Sequence, residues 1–499
     1  MHSGPRRGTP LALLFTIAAL LGAKGALAAP TPKPPTHACR IPGVATELQC
    51  GTLKRALDPA HAAGVQIDIH YLVVPARSRN KAGDPVLLLA GGPGQSAIAL
   101  APQTMNMLHR LNNRRDLIFI DQRGTGDSAP LDCPDEAEQP LSQRLDEAAQ
   151  LQTLKTCRDA LQKLPYGDLR FFTTAIAMQD MDAVRDHLGI AQWNLLGGSY
   201  GTRAALEYLR QFPQHVRRTV IDGVTPPDMV LPQSLSLDAQ GQFDAMLAAC
   251  EREAACQARF PALRHEWAEL LGSLPRPVSL SDPLSGKTEH VTLKPAMLLR
   301  SVQPALYAPA LTAALPAAIH AASQGRFEGL IGLASIVSGG KSGKIATGMH
   351  FSVVCAEDAP RMQVQAAGGR DFGPYQSQLY EQVCSFWPRG AVPANFYAIP
   401  PARTPVLLLS GGADPVTPPR HAKRVAQALG PLARQQIVPE AGHGVMALPC
   451  MAEVLFRFFD APTDAEALQV DTQCAARIPR PAAFQPVQAA SGAASSTTP

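Results

Sequence analysis

The chain has 499 residues, of which 46% are hydrophobic and 17% are charged, which is enough for one large domain or two of moderate size. Its 45 Lys and Arg residues against 41 Asp and Glu residues give a formal net charge of +4, and 5% of the residues are aromatic. These values indicate a globular protein and argue against nucleic-acid binding, because no basic block that could hold phosphates is present.

The first 28 residues are predicted to be a secretory signal peptide. Arg6 and Arg7 precede an apolar run from Leu11 to Leu21, and Ala26-Leu27-Ala28 has the small-x-small pattern of a cleavage site. The apolar run is too short to span a bilayer. A twin-arginine export signal stays open as an alternative route, although the residues after the arginine pair fit it poorly. We therefore expect a periplasmic or extracellular protein without stable membrane insertion.

Ten cysteines in an exported chain favour disulfide bonds, because an oxidising compartment preserves them. A metal site is the alternative, but the cysteines and histidines lack the spacing typical of zinc sites. Sequence does not determine the connectivity. Pairing between neighbours would join Cys39 to Cys50, Cys133 to Cys157, Cys250 to Cys256, Cys355 to Cys384 and Cys450 to Cys474. The third pair requires an intervening turn, since six residues of continuous helix separate Cα atoms by about 9 Å.

Two strands are predicted ahead of a glycine-rich loop. Residues 65–75 alternate apolar and polar side chains, as in a half-exposed antiparallel strand. Residues 85–89 are uniformly apolar, as in a strand covered on both faces, and they lead into Gly91-Gly92-Pro93-Gly94. Such a loop lets the backbone approach a ligand, and Gly92 is the candidate N–H donor because Pro93 has no N–H. A turn without a chemical role is the alternative.

A third strand is predicted at Asp116–Ile120. Asp121 and Arg123 follow it, and we interpret them as a structural ion pair or as turn hydrogen-bonding groups, because no nucleophile pattern accompanies them. Residues 174–188 have apolar side chains at helical spacing and end at Gly189, which predicts a crossover helix. Alternating strands and helices indicate a mostly parallel sheet with helices on both faces.

The most informative stretch is Gly197-Gly198-Ser199-Tyr200-Gly201, between a predicted strand at 193–196 and a predicted helix at 200–212. The Gly-x-Ser-x-Gly pattern holds a serine on a strained turn, where a Cβ on either flanking glycine would crowd the backbone. We therefore predict that Ser199 is a nucleophile. The backbone N–H groups of Tyr200 and Gly92 are predicted to form its oxyanion hole. The pentapeptide alone is common, so its position between strand and helix carries the prediction.

Residues 228–395 differ from the rest of the chain. Ala- and Leu-rich helical stretches, broken by prolines and glycines, follow another buried strand at 218–224. We interpret them as an inserted, mainly helical cap domain that forms a lid. Within it, an apolar run ends in Glu357 and Asp358, which are candidate ligands for a substrate ammonium group. Ordinary solvated surface acids are the alternative.

Two further candidates follow the insertion. Asp414 comes directly after a buried strand at 404–410, at the carboxyl end where ligands and catalytic groups gather in open α/β sheets. A turn or N-cap role is the alternative for this residue. His443 lies between two glycines in the loop after the last predicted strand. Ser199, Asp414 and His443 thus occur in the chain order of an α/β-hydrolase triad, which differs from the order in other serine-triad folds.

These motifs resemble the α/β-hydrolase family of proline iminopeptidases and secreted tripeptidyl aminopeptidases. The matching segments, spread over most of the mature chain, are residues 91–94, 121–126, 197–202, 411–414 and 442–444. The region around Cys450 and Cys474 is similar to the end of the tripeptidyl branch. Ala90 is a departure, since the family usually has His there. The resemblance implies a core formed by residues 29–227 and 396–478 around the 228–395 insertion, and composition predicts a disordered tail at 479–499.

The resemblance implies a secreted serine exopeptidase that releases amino acids or short peptides, such as tripeptides, from peptide N-termini. Asp414 would orient His443, and His443 would take the proton of Ser199 to form an acyl-enzyme without any cofactor or metal. A carboxylesterase with the same triad is the alternative. A binding protein on this scaffold would lack a triad residue, and none is missing. Side-chain preference, residues released per cut and oligomeric state stay open.

Overall fold

A computed structural model of the chain describes residues 35–134, 139–338, 344–363 and 369–486. The predicted signal peptide and residues 487–499 of the predicted tail lie outside these ranges. The described strands are β1 (His37–Cys39), β2 (Leu48–Ala56), β3 (Gln66–Val74), β4 (Val86–Leu89), β5 (Leu117–Ile120), β6 (Trp193–Gly198), β7 (Val216–Asp222), β8 (Arg276–Ser281), β9 (Thr288–Leu293), β10 (Val406–Gly411) and β11 (Ala433–Val438).

The described α-helices before and within the first part of the insertion are α1 (Ala101–Met107), α2 (Leu141–Leu145), α3 (Glu147–Leu161), α4 (Thr174–His187), α5 (Tyr200–Gln211), α6 (Leu231–Arg252), α7 (Ala254–Arg259), α8 (Leu263–Gly272) and α9 (Pro295–Val302). Those that follow are α10 (Pro309–Thr312), α11 (Leu315–Ser323), α12 (Glu328–Ser338), α13 (Thr347–Glu357), α14 (Tyr375–Phe386), α15 (Pro419–Leu429), α16 (Met451–Asp460) and α17 (Asp464–Leu468). In the described part of the chain, no helix has the length and hydropathy of a membrane span.

One sheet organises the core, with its strands in the order β1-β2-β3-β5-β4-β6-β7-β10-β11. The pairs from β1 to β5 are antiparallel. Every pair from β5 to β11 is parallel. The carboxyl ends of β4, β6, β7 and β10 therefore meet at one edge, where the loops after them converge. This arrangement confirms the predicted mostly parallel sheet.

Helices cover both faces of this sheet. Along β4, Leu87 and Leu89 pack into one apolar cluster with α3, α4, α5 and α15, while Val86 and Leu88 pack into a second cluster with α1, α16 and α17. Because side chains alternate along a strand, a strand between two helical layers must be apolar at every position. That requirement explains the uninterrupted apolar run that predicted β4.

The insertion between β7 and β10 has an apolar core of its own, formed mainly by α6–α9, α11 and α12. It also contains the antiparallel hairpin of β8 and β9, which the sequence did not predict. Helix α13 and the end of α14 pack elsewhere, in the cluster that covers the sheet. Within the second part of the predicted cap, α13 and the end of α14 thus pack against the sheet, whereas Phe372 between them packs in the cluster of the insertion.

Disulfide bonds join the cysteines as neighbours in sequence, namely Cys39–Cys50, Cys133–Cys157, Cys250–Cys256, Cys355–Cys384 and Cys450–Cys474. The break between α6 and α7 at Glu253 supplies the turn that the third pair needs. It brings the Cα atoms of Cys250 and Cys256 to 5.1 Å. That separation is within the reach of a disulfide.

The described part of the predicted tail, residues 479–486, has no regular secondary structure, but it contacts the insertion. The N–H of Phe484 donates to the carbonyl of Ala313 at 2.8 Å, and Ala483 packs against the apolar cluster of the insertion. The prediction of disorder is therefore wrong for these residues. A composition rich in Gly, Ala and Ser did not reveal this contact.

Candidate active site

Ser199 lies on the strained turn that the glycine spacing predicted. Its φ of 54° and ψ of −122° are unfavourable for a residue with a side chain. A Cβ on Gly197 would lie 2.5 Å from the carbonyl oxygen of Gly201, and a Cβ on Gly201 would overlap the carbonyl of Leu89. The N–H of Ser199 donates to the carbonyl of Asp222 at 2.8 Å, which ties the turn to β7. The backbone contacts of this turn therefore require glycine on both sides.

Asp414 and His443, which are 29 residues apart, form a direct hydrogen bond. Nδ1 of His443 lies 2.8 Å from Oδ2 of the fully buried Asp414 carboxylate. A carboxylate accepts, so Nδ1 carries the proton and Nε2 is left as the acceptor on the other side of the ring. This is the tautomer that a general base for a serine hydroxyl requires.

Thr417 also binds the carboxylate of Asp414, a role that the sequence analysis did not predict. Its hydroxyl donates to Oδ2 of Asp414 at 2.7 Å, and its N–H and that of Val416 donate to Oδ1 at 2.9 and 2.8 Å. These bonds form an Asx-type turn, so the spacing Asp-x-x-Thr after a buried strand is the signal that identifies it. The carboxylate is thereby fixed before it meets His443.

The pKa values of this pair move apart in opposite directions. Burial disfavours charge on both groups, but the attraction and hydrogen bond between them outweigh burial. The pKa of His443 is consequently raised and that of Asp414 is lowered. The charge of Asp414 therefore stabilises the imidazolium that forms when His443 takes a proton.

Asp222 is a second buried acid beside His443, and the sequence reading had placed it only within a strand. Burial raises its pKa to about 6, against the opposing hydrogen bond from the N–H of Met446 at 2.7 Å. The next residue, Gly223, leaves room for the ring, since a Cβ there would lie 2.9 Å from Cε1 of His443. In the sequence, an Asp-Gly pair at the carboxyl end of a buried strand is the signal that could have identified Asp222 and Gly223 as site residues.

A cavity of about 1230 Å³ opens beside Ser199 and His443. Gly92 and Gln95 line it on the core side, and residues of α9, α13 and α14 line it on the insertion side. Tyr200 is the first residue of α5, so its N–H is among the amides that a helix start leaves unpaired by the helix. In the described ranges, no group of three or more His, Cys, Asp or Glu side chains is placed to hold a metal ion.

The insertion also contacts the loop of His443 directly. The N–H of His443 donates to the carbonyl of Tyr307 at 2.9 Å. The two rings meet edge to face, with their centroids 5.4 Å apart. Tyr307 lies between α9 and α10, so a residue of the insertion fixes both the backbone and the ring face of the proposed base.

Glu357 and Asp358 lie outside the cavity, and their side chains are fully buried. Asp358 forms a two-pronged ion pair with Arg203 of α5, at 2.9 and 3.0 Å. Glu357 accepts the N–H and the hydroxyl of Thr174, at 2.7 and 3.0 Å, and burial raises its pKa to about 7. The geometry supports neither a substrate-ammonium site nor solvated surface acids. The apolar run that ends in these two acids is a buried helix, and the two acids bind Arg203 and Thr174.

Asp121 and Arg123 have structural roles, as interpreted, but they do not pair with each other. Arg123 forms a buried ion pair with Asp180, at 2.6 and 3.0 Å. Asp121 accepts the hydroxyl of Ser96 at 2.6 Å and the N–H of Ile98 at 3.0 Å. Asp121 therefore anchors the end of the glycine-rich loop that contains Gly92.

Residues 84–297 match a family model described as the alpha/beta hydrolase fold, and residues 370–474 match one described as TAP-like protein. "Serine protease Hip1" of Mycobacterium tuberculosis is 25% identical over 421 residues, which cover 76% of this chain and 78% of that protein. "Carboxylesterase B" of the same species is 28% identical over 423 residues, 77% and 78% of the two chains. "Tripeptidyl aminopeptidase" of Streptomyces lividans is 29% identical over 192 residues, 36% of each chain.

The Asp414–His443 pair predicts a defined pH profile. We expect kcat/KM to fall at acidic pH with a midpoint above about 6.5, the ordinary imidazole pKa, because His443 accepts the serine proton only when neutral. Asp414→Asn should move this midpoint down and lower kcat by about 10⁴-fold, as in comparable triads. Chromogenic ester hydrolysis between about pH 4 and 9 measures both.

Thr417→Val is the matched control for this prediction. It removes a hydrogen bond to the same carboxylate but keeps the charge, so the midpoint should stay near that of the wild type and kcat should fall by about tenfold or less. If Asp414→Asn left the midpoint unchanged, the charge of Asp414 would not govern His443.

The burial of the Arg203–Asp358 pair predicts a structural phenotype. Asp358→Ala should lower the free energy of unfolding by about 3 kcal/mol or more, because the buried guanidinium of Arg203 keeps backbone carbonyls but loses its close carboxylate, with Glu357 left at 3.5 Å. Denaturant unfolding measures this loss. Asp186→Ala, at a side chain that is 85% exposed, should cost less than about 0.5 kcal/mol. A folded Asp358→Ala protein with wild-type stability and altered preference for free amines would contradict the prediction.

Proposed function

The chain belongs to the α/β-hydrolase family and carries a TAP-like C-terminal segment, and from this premise we propose that it is an exported serine aminopeptidase. It releases amino acids or short peptides, tripeptides among them, from the free N-termini of peptides. The observation that carries the proposal is the Asp414–His443 hydrogen bond beside a cavity that also contains Ser199 on its strained turn.

The proposed reaction is a two-step acyl transfer. Nε2 of His443 takes the Ser199 proton as Oγ attacks the scissile carbonyl carbon, and the N–H groups of Gly92 and Tyr200 donate to the resulting oxyanion. The imidazolium protonates the leaving amine, and water then hydrolyses the acyl-enzyme with His443 again as the base. Each oxyanion donor contributes about 2.7–4 kcal/mol in comparable sites.

The shape of the cavity and the relatives support a peptidase that acts on chain ends. The volume of about 1230 Å³ exceeds the roughly 300–1,000 Å³ of a drug-sized ligand site, so an acyl part of several residues fits. Helices of the insertion form part of its wall, and a wall beside Ser199 favours the end of a chain over its middle. Relatives named as a serine protease and as a tripeptidyl aminopeptidase agree with this substrate class.

A carboxylesterase is the second candidate function. The observation that favours it is the relative named carboxylesterase B, which matches 77% of the chain. An esterase would use the same triad on an uncharged acyl group. It would therefore not distinguish a free amine from a blocked one.

We also propose that the signal peptide directs the protein to the periplasm or beyond the cell. Five disulfide bonds among the described residues support this location, because a reducing cytosol would not preserve them. The observation concerns the mature chain and is independent of the predicted cleavage pattern. The two features thus support export separately.

Glu147 is the proposed partner of the substrate ammonium. Among the described residues that line the cavity, the carboxylates are Asp222 and Glu147. Asp222 is already held beside His443. Glu147 begins α3, where the helix dipole favours a carboxylate, and Nε2 of Gln382 donates to its Oε1 at 3.2 Å. The carboxylate of Glu147 therefore lies at the cavity wall, at the start of α3.

A substrate panel tests the proposed function. Aminoacyl, dipeptidyl and tripeptidyl nitroanilides with free amines should be cleaved with a kcat/KM at least about tenfold above that of their N-acetyl forms, since loss of a hydrogen bond to a charged group costs about 1.5–3 kcal/mol. Ser199→Ala should abolish turnover. Equal rates on free and acetylated substrates, with faster ester cleavage, would instead identify an esterase. Turnover that survives Ser199→Ala would contradict both functions.

A second test addresses Glu147. Glu147→Gln should raise KM for free-amine substrates by about tenfold and leave kcat nearly unchanged, because the lost contact is present in both ground and transition states. Acetylated substrates should not respond. Glu147→Asp keeps the charge, so its KM for free-amine substrates should lie between those of the wild type and Glu147→Gln. An equal loss on acetylated substrates would exclude Glu147 as the ammonium partner.

A further inference from the structure

The loop that contains Gly92, residues 91–94, is here called the oxyanion loop, and three glycines and a proline give it no side-chain hydrogen-bonding group of its own. The N–H of Gln95 donates to the carbonyl of Gly91 at 3.2 Å, and the insertion holds the carbonyls of Pro93 and Gly94. The carbonyl of Gly94 accepts the N–H of Ala346 at 2.9 Å. Nδ1 of His350 lies 3.1 Å from the carbonyl of Pro93, the residue directly after Gly92. That carbonyl belongs to the Pro93–Gly94 peptide, and the N–H of Gly92 belongs to the Gly91–Gly92 peptide. Because the ring fixes φ of Pro93 between them, holding the carbonyl limits how far the Gly92 segment can rotate.

The second nitrogen of His350 is occupied as well. Its Nε2 lies 2.8 Å from the hydroxyl of Tyr380. A carbonyl only accepts, so Nδ1 carries the proton towards Pro93 and Nε2 accepts from Tyr380. Burial lowers the pKa of His350, against the opposing bond to Pro93, and this favours the neutral ring that the arrangement requires.

The two helices that carry this pair are fastened to each other. His350 and Tyr380 belong to α13 and α14, which the Cys355–Cys384 disulfide joins. Nε1 of Trp387 donates to the hydroxyl of Ser352 at 3.1 Å, also between these two segments. The rings of Phe351 and Tyr380 pack edge to face on the imidazole. The imidazole therefore has one orientation, set by a rigid helix pair.

The far end of α13 supports the other proposed donor. Glu357 binds Thr174, whose hydroxyl lies 2.6 Å from the phenol of Tyr200. Asp358 binds Arg203, one turn further along α5. Helix α13 thus contacts residues that lie beside both proposed donors, Gly92 and Tyr200, although the sequence analysis placed this helix in the cap domain.

We propose that His350 is a positioning residue for the oxyanion hole, which holds the Pro93 carbonyl so that the Gly92 N–H is aimed at the oxyanion before substrate binds. This role rests on the proposed function, because an oxyanion forms only if Ser199 attacks a carbonyl. Donors that are fixed in advance stabilise a transition state without reorganisation, and a small displacement weakens them. The effect therefore appears in kcat and hardly in KM.

Two substitutions distinguish the roles of the two ring nitrogens of His350. In His350→Asn the amide nitrogen takes the approximate place of Nδ1, whereas in His350→Gln it takes that of Nε2. We expect His350→Gln to lower kcat by about 10- to 100-fold, with KM within about threefold, since complete loss of one oxyanion donor costs about 10²- to 10³-fold. His350→Asn should recover kcat to within about fivefold of the wild type. Hydrolysis of p-nitrophenyl acetate measures both.

Thr472→Val is the matched control for stability, because it removes the hydrogen bonds that join a buried side chain to Arg434 and Gln436 of β11, and Thr472 contacts neither the oxyanion loop nor the cavity. It should lower Tm by a few degrees and leave kcat unchanged. If His350→Asn and His350→Gln lose kcat equally, or if their losses follow Tm, the positioning role is overturned and His350 is structural. If wild-type protein shows neither Ser199-dependent ester turnover nor fluorophosphonate labelling of Ser199, the proposed function fails first, and the positioning role fails with it.

Discussion

The site depends on a steric constraint at the end of β6. Ser199 adopts backbone angles that cost about 1–3 kcal/mol, and such strain persists only when the surrounding structure fixes it. Here the constraint comes from direct backbone contacts at Gly197 and Gly201, and from the hydrogen bond to β7. The core that buries β4, β6 and β7 on both faces is therefore what holds the serine at the sheet edge.

Desolvation assigns different roles to the acids near this edge. Asp414 stays charged because His443, Thr417 and two N–H groups compensate its burial. Asp358 stays paired because a guanidinium lies against both its oxygens. Asp222 and Glu357 have weaker compensation, and burial raises the pKa of each. The hydrogen-bonding and charged partners of each carboxylate therefore determine its role, and these partners differ among the four acids.

The difference between local and long-range information explains what could be predicted from sequence. Periodicity and glycine spacing are local, and they correctly placed β4, β6, α5 and the turn at Ser199. The order of Ser199, Asp414 and His443 relied on a known topology, and the hydrogen bond between the last two agrees with it. The partners of Glu357 and Asp358 are Thr174 and Arg203, more than 150 residues away in the chain, and no local pattern encodes them. The contact of Phe484 with Ala313 was missed for the same reason. The hairpin of β8 and β9 is local, and it was missed because the prolines of this stretch were interpreted only as breaks between helices.

The insertion cannot be treated as a lid that is independent of the chemistry. It reaches the site through the Tyr307 carbonyl at His443, through Ala346 and His350 at the oxyanion loop, and through the buried acids under α5. The same helices carry cavity walls, such as Phe351 and Tyr380. Because packed interiors transmit small shifts, a substitution in the cavity wall should also move the groups that we propose to align the oxyanion donors. With the proposed function, substrate range and catalytic rate would be coupled through α13 and α14. A cap that opened as a rigid body would have to break its hydrogen bonds to the oxyanion loop and to His443.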